Sequence, residues 1–581
     1  MIKEQIKNLI QKIAEIDDFS VEIPEEKAHG DYATNVALIL AKKQGKNPVD
    51  AAKELVLKLK IKNLKFLDHV EVINGFINFF LKSEFLQKQV KEILKQDTNF
   101  GKQNIGKNKT VIIDYSSPNI AKPMHVGHLR STFIGQAIYN IYKFLDYKVI
   151  GDNHLGDWGT QFGIMIAAVK KYNINIGKIT IQQMLDAYIR FNKETKAEEA
   201  RNINYAMDFA RDQFKALEDK KHIDHDKNKK IWQKLKEKSL EEFNKIYKIL
   251  GIKFDEYKGE SYYEPILKDV IRDCEKKLGG SGGKYFLSIG AYLINLDEFN
   301  LNPLLIKKAD GATLYATREL ATIKDRVKTK PEKIIYVVGN EQTLHFQQVF
   351  QAAELLGYTL KDKLIHVKFG LVLDENRQKL STRAGRVIDA EELINKAIDL
   401  AEKIIKEKNP KLPDKEREKA ARIIGVGALK YNDLSQNRQS DIVFDWDKML
   451  SFEGNSGPYL QYSYVRLRSI LRKAALSSDR VPRRMTGQIL SLLENPSEIE
   501  ILKELIKFPE IVQEAGEKFQ INFLANYLYN LAGIVNTFYE KFSVLKAEKG
   551  LKEARLALIK SAAMVLRNGL NLLGIEVLEK M

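Results

Sequence analysis

Two imidazoles, His125 and His128, flank Val126 and Gly127 in the stretch SSPNIAKPMHVGHLRST, Ser116 to Thr132. An apolar run, Val111 to Tyr115, precedes the stretch, and an amphipathic pattern follows it. The order predicts a buried strand, a loop carrying Pro118 and Pro123, and the opening of a helix. Backbone N–H groups are free at a helix start and the helix dipole favours negative charge there, so histidines at this point suit a phosphate. Gly127 leaves room for a flat base or sugar beside the backbone. A second cationic stretch, DENRQKLSTRAGR from Asp374 to Arg386, follows the strand-like VKFGLVL. Its Lys379, Ser381, Thr382, Arg383 and Arg386 form a loop with Gly385 that suits a triphosphate and the charge developing on a leaving pyrophosphate. Each stretch alone reads equally as surface: histidines beside a turn, and a solvated basic loop.

The surrounding elements decide between these readings. Leu129, Phe133, Ala137, Ile141 and Leu145 repeat every four residues, with Ile138 and Tyr142 widening the stripe, which predicts a long helix packed on a sheet. A strand at Tyr147 to Ile150 completes the βαβ pattern of a doubly wound parallel sheet. The chain turns polar and helical from about Lys170 to Glu260, with lysines crowded around Trp232, and reads as an insertion. Sheet-like segments resume at KYFLSIGAYLINL, LLIKKADGATLYA, KIIYVVGN and IHVKFGLVLD. Helices dominate from about Asp389. The first hundred residues read as a small mixed domain, with helical patterns near 2 to 15 and 31 to 60 and an alternating stretch from His69 to Leu81. The expected architecture is therefore α/β: a Rossmann-type catalytic domain at 106–450 with an insertion near 170–290, a small α+β domain at 1–105, and an all-α bundle at 451–581.

Composition narrows the function classes. The 581 residues are 44% hydrophobic and 29% charged with 13 prolines, which excludes a small module and a disordered chain. An excess of 94 Lys and Arg over 77 Asp and Glu gives a net charge of +17, which attracts polyanions or simply keeps the surface solvated. Cys274 is the single cysteine, so disulfides within the chain and cysteine-based zinc clusters are excluded and a reducing cytoplasm is expected. No apolar run is long enough for a membrane span, and the charged opening MIKEQIKNLIQKIAEIDDF lacks the apolar core of a signal peptide.

An H-x-G-H at the first sheet crossover and a K-x-S loop after a late strand together resemble the HIGH and KMSKS signatures of class I aminoacyl-tRNA synthetases. Within that class the sequence resembles arginyl-tRNA synthetases along its whole length. The likeness rests on GDYATNVALILAKK, GFINFF, DYSSPNIAKPMHVGHLRST, NHLGDWGTQFG, TLYATRELA, DLSQNRQSDIVFDWDKMLSFEGNSGPYLQYSY and LRNGLNLLGIEVLEKM. The resemblance implies ATP-dependent ligation of arginine to tRNA(Arg) through an adenylate, with magnesium riding on the nucleotide, no protein-bound zinc, no membrane partner and a monomer. It also implies that activation itself requires bound tRNA.

The resemblance assigns catalysis to His125, Gly127, His128, Lys379 and Ser381. Asp114 is expected to bind the guanidinium, whose fixed charge and fork call for carboxylates. Ser117 and Asn119 are expected to hold the substrate, His154 to join the arginine and ATP pocket, and Tyr315 and Gln342 to line it. Two positions depart from the family. Glu319 stands where an aspartate is expected, and Thr382 replaces the second lysine of the loop signature, a loss that Lys122 is expected to offset. For tRNA, Tyr459 and Tyr462 lie before a basic run containing Arg466, Arg468 and Arg472, suited to phosphates and unstacked bases or, as plainly, to solvent. The rivals are a glutamyl or glutaminyl type of class I enzyme and a catalytically silent tRNA-binding relative.

Overall fold

The computed structural model describes residues 1–59, 64–199, 205–280, 283–309, 313–374, 376–378, 388–476 and 486–580. Lys379, Ser381, the rest of the basic loop to Arg386, and the basic run from Asp479 to Arg484 lie outside them. The chain forms two compact units: residues 104–458 with 573–575, and residues 1–103 with 459–572 and 576–581.

The first unit is built on β1 (Thr110–Asp114), α1 (Val126–Phe144), β2 (Lys148–Asp152), α2 (Glu260–Leu278), α3 (Tyr315–Arg326), β3 (Lys333–Tyr336) and β4 (Leu364–His366). The four strands are parallel in the order β4-β3-β1-β2. Chain direction across the sheet reverses between β1 and β3, which opens a crevice at their carboxyl ends. β1 is a run of Val111, Ile112 and Ile113 buried on both faces, as a central parallel strand must be. The predicted stripe of α1 is buried, and Gly135 lets the helix press on the strand's end: a Cβ there would sit 2.3 Å from the Tyr115 side chain.

Four helices, Thr160–Lys171, Ile181–Glu199, Tyr205–Glu218 and His225–Leu250, form the insertion between β2 and α2. The lysine-rich stretch lies partly in the last of these, where Ile231 and Leu235 are buried, Lys227, Lys229 and Lys230 are exposed, and Lys236 pairs with the buried Asp157 at 2.5 Å. The next sheet-like segments make their own antiparallel sheet, Tyr285–Ser288, Ala291–Ile294 and Leu304–Lys307. Their short connections permit hairpins and exclude parallel crossovers.

In the second unit, Val21–Glu22, Tyr32–Thr34, Phe76–Leu81 and Leu67–Ile73 form an antiparallel sheet in that order. The alternating stretch is a hairpin turned by Asn74 and Gly75, both at positive φ (51° and 82°). The helical pattern near 31 to 60 divides into the strand Tyr32–Thr34 and helices Val36–Gln44 and Pro48–Lys58. Gly45, left-handed, ends the first helix, and Asn47 caps the second with Pro48 in its first turn. The terminal helices pack as a bundle, and polar contacts join it to the small sheet domain, including Tyr32 Oη to Glu510 Oε2 at 3.0 Å and Lys503 to Asp31 at 2.7 Å.

Candidate active site

The loop leaving β1 is held in a costly conformation. Ser116, Ser117 and Ala121 all have positive φ, each at roughly 1–2 kcal/mol for a residue with a Cβ. Hydrogen bonds fix it. Ser116 N–H donates to Ser131 Oγ at 2.9 Å, Ser117 N–H to Asn153 Oδ1 at 3.1 Å, and Ser117 Oγ to Asp114 Oδ1 at 2.8 Å. Asn119 bridges to Gly156, where a Cβ would lie 1.9 Å from Asn119 Oδ1, so the glycine makes room for the amide.

His125 caps α1. Its Nδ1 accepts from Gly127 N–H at 3.2 Å, and His128 Nδ1 accepts from His125 N–H at 3.1 Å. Both rings therefore carry their proton on Nε2. Their centroids are 3.8 Å apart. Burial, and then the nearby Lys122 charge, hold His125 below its ordinary pKa; burial, and then His125, push His128 well below. The pair is thus two neutral N–H donors. The expected anion site of free backbone N–H groups is not present in that form: Val126 N–H donates to Ile388 O, Gly127 N–H to His125, and His128 N–H to His125 O. Gly127 also gives the imidazole room, because a Cβ would press within 3.1 Å of the His125 ring. Lys122 lies with its ammonium over the ring of Tyr188, 4.7 Å from the centroid.

A second cluster is acidic. Helical spacing puts Tyr315, Glu319 and Arg326 on one face of α3. Glu260, at the start of α2, and Glu319 each keep a buried Oε2 without a hydrogen-bond donor. Arg318 Nη1 is the near cation, 4.0 Å from Glu260 Oε2 and too far for a hydrogen bond. Burial pushes the Glu260 carboxyl up to about 7, with Arg318 and His154 opposing the rise and Glu319 adding to it. Burial disfavours charge on His154, but Asp114, Glu319 and Asp152 outweigh it and its pKa is raised; Nδ1 is 2.8 Å from Lys258 O. Tyr315 is exposed beside the cluster, and Gln342 is exposed on the turn before the helix Thr343–Leu355.

Asp114, expected to bind the guanidinium, is engaged within the chain. Parallel register sets it beside Asp152, and Arg326 Nη2 donates to both carboxylates at 2.7 Å. Its acid is already matched by a guanidinium of the chain itself, with Ser117 on the other oxygen. The acids left open are Glu319 and Glu260. Sequence reading missed Glu260, Asp152 and Arg326, which lie far from the signatures and carry no local pattern; Asn153, adjacent to His154 in NHLGDWG, had a signal in that motif.

In the other unit, Arg468 Nε donates to Glu579 Oε2 at 2.8 Å and Arg472 donates to Glu579 O. Both arginines tie to the last helix's tail at a solvent-exposed contact. Arg466 instead lies over the rings of Tyr539 and Tyr462, at 4.7 and 5.7 Å. Tyr459 Oη accepts from Asn536 at 2.9 Å.

A doubly wound parallel sheet with H-x-G-H opening the first crossover helix defines a class I synthetase architecture. Residues 89–446 match the family described as tRNA synthetases class I (R), catalytic domain; residues 460–581 match the DALR anticodon binding domain, and 1–81 the arginyl tRNA synthetase N terminal domain. An arginine–tRNA ligase of Clostridium kluyveri is 42% identical over 584 residues, 100% of this chain and 99% of that protein. One from Clostridium botulinum is 40% identical over 587 residues, with the same coverage. Among solved structures, arginyl-tRNA synthetase of Thermus thermophilus superposes with a TM-score of 0.84 at 25% identity over 100% of both chains. That of Plasmodium falciparum gives 0.81 at 27% identity, over 100% of this chain and 99% of that one. The chain belongs to the arginyl-tRNA synthetase family.

Proposed function

We infer that this chain ligates L-arginine to tRNA(Arg) with ATP, through arginyl-adenylate, releasing pyrophosphate and then AMP. The observation that carries the choice of amino acid is the pair of buried, donor-free oxygens on Glu260 and Glu319. A guanidinium presents paired N–H donors and a permanent charge, which matches two such acceptors; a glutamate or glutamine side chain offers no such match. Tyr315, His154 and Gln342 line the pocket, and Ser117 and Asn119 hold the α-amino and carboxylate end. Asp114 shapes the wall with Asp152 and Arg326.

In the first step an oxygen of the arginine carboxylate attacks the α-phosphorus, and the bond from that phosphorus to the oxygen of the leaving pyrophosphate breaks. Negative charge grows on the leaving group. Neutral His125 and His128 meet it as Nε2–H donors, while the cationic Lys122 and Lys379, with Ser381, supply charge and contact. In the second step the 2′-hydroxyl oxygen of the terminal tRNA adenosine attacks the activated carbonyl carbon, the bond from that carbon to the phosphate oxygen breaks to release AMP, and the hydroxyl proton passes to the departing phosphate or to solvent. Magnesium would arrive on the triphosphate.

Tyr459, Tyr462 and Arg466 form the RNA-facing patch of the terminal helices. Three domains, 1–105, 106–450 and 451–581, act as a cytoplasmic monomer, and no described helix is long and apolar enough to cross a membrane. Aminoacylation across the amino acids tests the reading. Arginine alone is charged, citrulline is rejected for leaving buried acids unpaired, and pyrophosphate exchange requires tRNA. Charging with glutamate or glutamine, or with no amino acid at all, would install one of the rivals.

A further inference from the structure

Lys122 stands in a place where a cation is needed and an ion pair would defeat the purpose. Among the described residues no carboxylate lies within ion-pair distance of it; its neighbour is the face of Tyr188, 4.7 Å from the ammonium. Tyr188 belongs to the insertion helix Ile181–Glu199 and packs against both hydrophobic clusters of the insertion, so its ring is wedged between two cores. The loop carrying Lys122 is anchored to the same insertion. Ala121, left-handed and buried in one of those clusters, donates its N–H to Ser239 Oγ at 2.9 Å. An aromatic face attracts and orients an ammonium without cancelling its charge, whereas a carboxylate would spend that charge internally.

We propose that Tyr188 is a positioning residue for adenylate formation, its ring holding the Lys122 ammonium beside His125 with the charge free for the nucleotide's phosphates. The proposal rests on the reading of Lys122 as a cation that acts on ATP. It also gives the insertion a direct part in the chemistry of the signature helix, through one ring.

The test is tRNA-dependent pyrophosphate exchange on the full-length enzyme, with Tyr188→Phe, Tyr188→Leu, Lys122→Ala and the double variant Lys122→Ala/Tyr188→Leu. Tyr188→Phe keeps the face and is expected to stay within about twofold of wild type. Tyr188→Leu is expected to slow activation roughly 3- to 30-fold, the scale of a cation–π contact, with the arginine KM unchanged. In the Lys122→Ala background it should cost nothing more. Equal losses in both backgrounds would make Tyr188 a packing residue and overturn the proposal. A costly Lys122→Ala with a silent Tyr188→Leu would remove Tyr188 while leaving Lys122 in place. Wild-type exchange by Lys122→Ala would remove the reading beneath both. Should Tyr188→Leu fail to fold, a series of increasingly fluorinated phenylalanines at 188 keeps the shape and drains the ring face. Activation should fall stepwise with fluorination, and a flat series would overturn the proposal.

Discussion

Two groups of carboxylates at the carboxyl edge of the sheet are treated in opposite ways. Asp114 and Asp152 are closed: one guanidinium, Arg326, bonds both at 2.7 Å. Glu260 and Glu319 are open, each with a buried oxygen that no donor reaches. In the closed set both carboxylates have their donor when the chain folds, although Arg326 keeps Nε and Nη1 buried without an acceptor, whereas in the open set it is the carboxylate oxygens that lack a partner. Both surround His154, whose raised pKa reflects acids from each set. Orphaned acceptors, more than acidity itself, distinguish the two groups, and the proposed recognition of arginine rests on that difference.

The largest expected effect breaks the closed set. Arg326→Leu leaves two buried carboxylates without their cation, a loss of about 3–5 kcal/mol in folding stability. Urea unfolding checks this, and a change below about 1 kcal/mol would mean that the acids are not held by Arg326. The open set should respond in the other direction. Glu260→Gln and Glu319→Gln replace carboxyls that each bury an oxygen without a hydrogen-bond donor, so the free enzyme should be no less stable. Each should lose one charge-assisted bond to arginine, about 1.5–3 kcal/mol, or roughly 10- to 150-fold in kcat/KM for arginine. The ATP KM should hold within about twofold. A stability loss as large as that of Arg326→Leu would erase the distinction between the sets.

The contrast also explains what the sequence could disclose. His125, Gly127 and His128 lie within four positions, and the strand before and helix after them follow from local periodicity. Glu319 was visible only through the resemblance of TLYATRELA to the family, where it replaces an expected aspartate. The partner of Asp114 was not, since Arg326 lies 212 residues away and only sheet register brings Asp152 beside them. Glu260 opens a helix beyond a four-helix insertion, and no periodicity marks it as a neighbour of Glu319. The contacts of Arg468 and Arg472 were hidden for a related reason: a basic run shows charge but not a partner as distant as Glu579.

A smaller effect comes from pH. Burial raises Glu260 to about 7, so below that value the free enzyme holds this carboxyl neutral. A guanidinium favours the carboxylate, so arginine affinity should fall up to tenfold for each pH unit below about 7 and level off above it. For the fold alone the sign is opposite: a carboxyl raised on folding contributes stability fully below its unfolded pKa, lost as pH rises through the folded one. Calorimetric arginine binding from pH 5.5 to 8.5 checks the first trend, and Glu260→Gln should flatten it. Persistence of the slope in that variant would move the titrating group elsewhere, with His154 the nearest alternative.

The smallest expected change sharpens the open set. Glu319 carries one methylene more than the residue that the family resemblance leads one to expect. Glu319→Asp keeps the charge on the same face of α3 and withdraws the acceptor by about one bond length, a gap that a bridging water or a shift of the flexible arginine side chain can span. The arginine KM should therefore rise by less than about tenfold, under about 1.4 kcal/mol, with kcat nearly constant. An aspartate variant that bound arginine better than the wild type would show that the longer arm crowds the fork. The guanidinium would then depend mainly on Glu260, and the two open acids would no longer form a matched pair.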